Sequence, residues 1–184
     1  MKADLCVEVP AIPAFSVRWA EQKWEAEQAW RLRREVFCEE QGLFDGDDRD
    51  AVDDVAQLLV AVHVDLERPD AAATVVGTVR IHESEPGVWF GSRLAVDKAY
   101  RSQGRIGATL IRLAVSSAHA LGCKRFFAHV QSQNVPLFRR LHWHVLAEET
   151  LLGRPHHLMQ AELNHYPPCH TPRTGFVLEG RAVR

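Results

Sequence analysis

The chain has 184 residues, 46% of them hydrophobic and 25% charged, the composition of one globular domain. A net charge of -2 excludes a global basic field for nucleic acid or an anionic membrane, so any anion site must be local. No apolar run approaches the roughly 18 residues of a membrane span, and Met1-Lys2-Ala3-Asp4 does not open a secretory signal. Cys6, Cys38, Cys123 and Cys169 are far apart, with neither metal-site pairing nor a disulfide framework, which predicts a cytoplasmic setting.

Residues 1–13, with Pro10 and Pro13, read as an extended arm. Residues 15–20 (FSVRWA) alternate apolar with polar and predict a first strand. The pattern turns helical over 24–41, with Trp30, Arg34, Phe37 and Cys38 on one broad side and Gly42 as the stop. The acidic run that follows, 43–54, reads as a solvated turn and does not fit a calcium loop. Strands are predicted at 57–64, 74–83 and 88–96, with a turn at 66–72 around Pro69 and Asp70 and another at 84–87. After a turn at 97–100, apolar spacing through Ile106, Leu110, Leu113, Ala114 and Leu121 predicts a long helix. A strand at 125–131 then fits a parallel strand–helix–strand unit. Residues 135–141 read as a short helix with Asn134 as N-cap and Pro136 in its first turn. Strands at 143–151 and 157–163 close the pattern, and 164–184 read as an irregular tail.

Chemistry concentrates at 94–107. Leu94, Ala95 and Val96 end an apolar strand, and Arg101, Gln103, Gly104, Arg105, Ile106, Gly107 and Ala108 lead into the long helix. Free backbone N–H groups and the positive end of the dipole suit an anion there. Gly104 and Gly107 permit close approach, and Arg101 and Arg105 add charge.

This stretch resembles the acyl-coenzyme A segment of the GNAT superfamily of N-acetyltransferases: Leu94-Ala95-Val96, Tyr100-Arg101, Gln103-Gly104 and Gly107 follow its pattern. The family's second glycine falls at Ile106 and here comes one residue later, as if Arg105 were inserted. Three more segments match: residues 33–41 (RREVFCEEQ), Gly153-Arg154-Pro155-His156, and 134–143 (NVPLFRRLHW), which closes over the cofactor in that family. In the last, Phe138 replaces the usual tyrosine acid and His142 the usual glycine. The resemblance covers roughly 15–163 and implies an α/β fold: a mixed, mostly antiparallel sheet flanked by helices, with splayed parallel central strands at 88–96 and 125–131 holding the pantetheine arm. It implies acetyl-CoA as donor and a small-molecule amine as acceptor, with Asn134 and Phe138 completing the cofactor contacts.

The first half is also similar to acyl-homoserine-lactone synthases, through Arg34, Phe37, the acidic loop, Arg80 and Trp89-Phe90-Gly91-Ser92-Arg93-Leu94; the glutamate they use as base aligns with Phe90. An N-acyl amino acid or lactone synthase using an acyl carrier is therefore an alternative, as is a catalytically silent coenzyme A sensor. Candidate bases are Glu40, His82, Glu83 and His129, since the ammonium must lose a proton before attack. Replacement acids are a water, Cys123 or a histidine. Backbone N–H groups near 94–96 are candidates to polarise the thioester. Arg34, Arg80 and Arg93, by fork-to-oxygen contacts, point to an acid-bearing amine. His165, Cys169 and His170 fit no strong zinc spacing, and no metal is expected. Sheet edges and a tail without a core predict a homodimer.

Overall fold

The computed structural model describes residues 13–64, 72–103 and 105–179, so most of the expected arm, the turn at Pro69 and Asp70, and Gly104 lie outside the described residues. Eight strands form one sheet: β1 (Pro13–Trp19), β2 (Gln57–His63), β3 (Thr74–Glu85), β4 (Val88–Val96), β5 (Arg125–Gln131), β6 (Trp143–Leu151), β7 (Arg154–Ala161) and β8 (Phe176–Glu179). Their order is β6-β7-β5-β4-β3-β2-β1-β8. The β4–β5 pair is parallel, and the other described pairs are antiparallel. The sheet carries helices on both faces, as the GNAT resemblance implied. Among the described residues no helix is long and apolar enough to cross a membrane.

Alternation along the strands sorts the core. Leu59, Ala61, Val76 and Phe126 pack with α2 (Arg105–Ala120), whereas Val60, Val62 and Val75 pack with Ala29 of α1 (Lys23–Arg34). Gly77 lets α2 lie close on β3, because a Cβ there would stand 2.9 Å from Ile106 Cγ2. Helix α1 starts where the buried Glu25 carboxylate accepts from the backbone N–H groups of Glu21 (2.8 Å) and Gln22 (2.9 Å). It continues as a π-helical turn over Glu35–Glu40, closed by Gln41 N–H donating to the Val36 carbonyl at 3.0 Å, and ends at Gly42 with φ +61°.

Four expectations need correction. The buried side of α1 carries Leu32 and Arg33, one step from the expected Trp30 and Arg34 side, because Arg33 finds buried carboxylates. Leu121 lies beyond α2 and is exposed. Asn134 precedes α3 (Val135–Arg140) but makes no side-chain cap, since a short 3-10 turn at Ser132–Asn134 already leads the chain in. The tail is not irregular throughout: β8 pairs with β1, and the buried Tyr166 hydroxyl accepts from Trp143 Nε1 at 2.9 Å and donates to the Leu141 carbonyl. Tail residues thus bury against their own sheet, which removes one ground for expecting a homodimer.

Candidate active site

The site begins where a ladder stops. β4 and β5 pair at Val88↔Arg125, Trp89↔Phe126 and Phe90↔Phe127, and no described pair follows. Beyond that point β4 stays bonded to β3 as far as Val96, and β5 to β7 as far as Gln131. The facing backbone edges of 91–96 and 128–131 are left without ladder partners, and buried N–H and C=O groups need partners. β4 also bulges: Arg93 takes φ +55°, and Arg93 with Leu94 spans the gap between the Arg80↔Ser92 and Thr78↔Ala95 pairs. A cavity of about 460 Å³ opens in the gap, within the usual range for small-molecule sites. Gly91, Leu94, Ala128 and Val130 of the two strands line it, together with Ile111, Phe138, Phe37 and Phe44.

Of the expected cofactor residues Leu94, Asn134 and Phe138 line the cavity, and the others run from the end of β4 into the first turn of α2. Ala95 is buried, and Leu94 and Val96 are half-buried. Lys98–Gln103 form a 3-10 turn, and α2 begins at Arg105. Ile106 and Ala108 are in the core, so only their backbone is free to meet a ligand. A Cβ on Gly107 would stand 3.7 Å from Val96 Cγ2, ordinary contact, so packing does not require this glycine. Arg101 donates to the Val96 carbonyl (2.8 Å) and, with two nitrogens, to Glu40 (2.5 and 2.8 Å). That guanidinium holds the Glu40 carboxyl below its ordinary pKa. Asn134 and Phe138 line the cavity, the latter edge-to-face with Trp143 at 5.0 Å.

The acidic loop is not a solvated turn. Asp48 is buried, and its Oδ2 lies 2.8 Å from Arg33 Nε and 2.9 Å from Arg93 Nε. Asp53 bonds Arg33 (2.6 Å) and Arg80 (2.7 Å), and Asp50 bonds Arg80 (2.6 Å). Arg80 also donates to Ser92 at 2.9 Å, and Arg93 covers the Phe44 ring at 4.4 Å. Burial pushes the Asp53 pKa up, but its bonds to Arg33 and the Asp50 N–H, with the charges of Arg33 and Arg80, outweigh that and hold it well below the carboxylate range. Three guanidiniums therefore face three carboxylates at the cavity wall. Arg34 points outward, 61% exposed and 3.7 Å from Glu39.

The base candidates separate by place. His129 lines the cavity, hydrogen-bonds Glu149 through Nδ1, and stacks on Phe90 at 5.9 Å. His82 stacks on the same ring at 6.0 Å; burial and then the Arg80 charge depress its pKa, so it stays neutral. Glu83 accepts from Gly87 N–H at 2.7 Å, closing the β3–β4 turn, and Glu40 is held by Arg101; neither lines the cavity. Cys123 is buried away from the cavity, and burial pushes its thiol pKa up to about 11. His156 is a cavity residue that the sequence quoted but did not assign: its Nδ1 lies 2.9 Å from the Arg154 carbonyl, which can only accept and so places a proton on Nδ1. Glu149 carried no sequence signal of its own.

The model of the acetyltransferase (GNAT) family matches residues 17–143. The chain belongs to this family. A GNAT protein is an N-acetyltransferase that draws its acyl group from an acyl-CoA. An uncharacterised N-acetyltransferase of Bacillus subtilis strain 168, YjcF, is 27% identical over 139 residues, 74% of this chain and 92% of its own. The crystal structure of a Lactobacillus plantarum protein assigned to the N-acetyltransferases superposes with a TM-score of 0.69 at 23% identity, over 80% of this chain and 97% of that one. A CoA-dependent acyl-homoserine lactone synthase, BjaI, solved with SAM and isopentyl-CoA, reaches 0.63 at 18% identity, over 79% and 82%. At those identities the structures share the fold. The GNAT match ends at Trp143, so the β6–β7 hairpin that overhangs the cavity lies outside the matched segment.

Proposed function

We propose that this GNAT protein transfers an acyl group, acetyl foremost, from acyl-CoA to the amine of a small molecule by direct attack. The observation that carries the reading is the three-pair β4–β5 ladder opening into an apolar cavity. Its free backbone edges suit the amide-bearing pantetheine arm, and the first turn of α2, with Arg105, suits the diphosphate. Gly104 is assigned there from the sequence pattern, along with Gln103. N–H groups at the Arg93–Leu94 bulge are assigned to the thioester oxygen.

His129, oriented by Glu149, is the assigned base. It takes a proton from the substrate ammonium; the neutral amine nitrogen bonds the acyl carbon, the carbon–sulfur bond breaks, and the second proton, shed by that nitrogen as the amide forms, passes through water to the departing coenzyme A thiolate. Phe138 offers no proton, so no side-chain acid is assigned. Arg80 and Arg93 are assigned to hold the acidic loop rather than a substrate carboxylate, because Asp48, Asp50 and Asp53 already take their donors. A lactone or N-acyl amino acid synthase remains the second reading, supported by the fold shared with BjaI. The test combines calorimetric titration of acetyl-CoA with thiol release over an amine panel. Acetyl-CoA binds, and His129→Ala leaves its Kd unchanged while lowering kcat by about 10²–10⁴. No binding at millimolar acetyl-CoA removes the reading, and activity with an acyl-carrier thioester alone reverses the order.

A further inference from the structure

We infer that the acceptor is an amine on an uncharged apolar body, aromatic or branched alkyl, and that Leu152 is a specificity residue gripping that body. The inference rests on reading the cavity as the acyl-transfer site. Leu152 and Gly153 form the two-residue turn between the paired Leu151 and Arg154, with φ +52° and +70°. Positive φ at both positions is the type I′ turn, where asparagine, aspartate and glycine are favoured and a leucine is strained. Leu152 is also 58% exposed, so burial does not repay the strain, yet it lines the cavity. Neither stability nor solubility accounts for a strained, exposed leucine at a cavity mouth, whereas contact with an apolar ligand does.

The hairpin is tied in place over that mouth. Arg154 donates to the Gln41 carbonyl at 2.6 Å, and Gln131 donates to the Gln41 side chain at 2.9 Å. Leu152 is thereby fixed relative to the end of the π-helical turn, which carries Phe37 into the same cavity. Phe44, Val52 and Phe90 add apolar lining to the same cavity. Charge on the acidic-loop wall is already matched. A substrate carboxylate meets guanidiniums engaged by Asp48, Asp50 and Asp53, and a polyamine meets carboxylates engaged by Arg33, Arg80 and Arg93. An apolar body needs neither.

The acceptor, and not the acyl chain, is assigned to this lip. Leu152 shares the cavity lining with Phe37, Phe44 and Val52, whereas the segment assigned to the donor from Ala95 to Ala108 contributes no lining residue there. The test uses the full chain, saturating acetyl-CoA, and four amines: 2-phenylethylamine, 3-methylbutylamine, glycine and spermidine. The wild type prefers the first two. Leu152→Asn raises KM for 2-phenylethylamine about tenfold, close to the loss of a partly buried leucine contact. It leaves the acetyl-CoA Kd unchanged and raises Tm, because asparagine suits the turn; Leu152→Gly gives the same KM shift. A merely structural leucine would move Tm without KM.

Preference for glycine or spermidine overturns the inference while the acyltransferase reading stands. So does an unchanged KM in both variants. A Leu152→Asn effect confined to the Kd of hexanoyl-CoA moves the lip to the acyl chain and overturns the acceptor assignment. Failure to bind acetyl-CoA, or binding with no turnover of any amine, overturns both readings together.

Discussion

The two faces of the sheet are built by different physics. Against α2 the chain packs apolar side chains around Gly77, Ile106 and Leu110, and the groups proposed for the donor are backbone at a strand end and a helix start. Against α1 the wall is an ion-pair lattice of Arg33, Arg80, Arg93 and three aspartates, roofed by aromatic rings. Backbone groups at fixed positions suit a donor whose handle is always the same. Side chains on a loop can be exchanged without disturbing the sheet, which suits the half of the reaction in which the partner varies.

Three perturbations separate the faces. The largest is Asp53→Ala, which strips the buried Arg33 of two hydrogen bonds and Arg80 of one. Leaving buried guanidinium charge short of a partner costs about 3–5 kcal/mol, read by urea unfolding. Among the molecules that remain folded, acceptor turnover falls while the acetyl-CoA Kd holds. Next is Gly77→Ala, whose Cβ would stand 2.9 Å from Ile106 and 3.0 Å from Leu110. Overpacking costs about 1–3 kcal/mol and displaces the first turn of α2. Here the acetyl-CoA Kd weakens, the reverse of the Asp53 result. Equal damage to both ligands by either variant would erase the distinction.

The smallest is acid. Asp53 has a folded-state pKa below its unfolded value, so the unfolded chain binds the proton first. Its stabilising contribution is complete above about pH 5 and is lost as pH falls toward the folded value. By pH 4 Asp53 has given up only about 0.3 kcal/mol, and much more below pH 3. Hydrogen exchange should show the 43–54 loop loosening before α2 does. Uniform loosening would deny the lattice its local role.

The sequence was more legible on the α2 face. The bounds of β4 and β5 were readable because apolar runs end at charged or turn residues, and the glycine-rich segment follows a known pattern. Even there the motif match names Ile106 and Ala108 as cofactor residues, although Ile106 already belongs to the apolar stripe of the helix, and both side chains lie in the core. On the α1 face the partners lie 15 and 20 residues apart, Arg33 from Asp48 and Asp53, and no periodicity links them. Arg34 drew attention because it matches a motif, while its neighbour Arg33 does the holding. An acidic run next to a helix looks solvated until the arginines of β3 and β4 are known to face it. β8 escaped because four residues in a proline-rich tail gain strand character only from lying beside β1.

The short β4–β5 ladder also has a mechanical meaning. Only three residue pairs join a plate of three strands, β6, β7 and β5, to a plate of five. Each plate is cross-bonded within itself, so the seam between them is the most compliant line in the sheet. A small rotation about Val88–Phe90 is opposed at the far end of the slot by the Arg154 and Gln131 bonds to Gln41 and not by any ladder bond. Under the proposed reading, the girth of the acyl group that the slot accepts is set by the angle of the seam and by the two bonds to Gln41 that limit it.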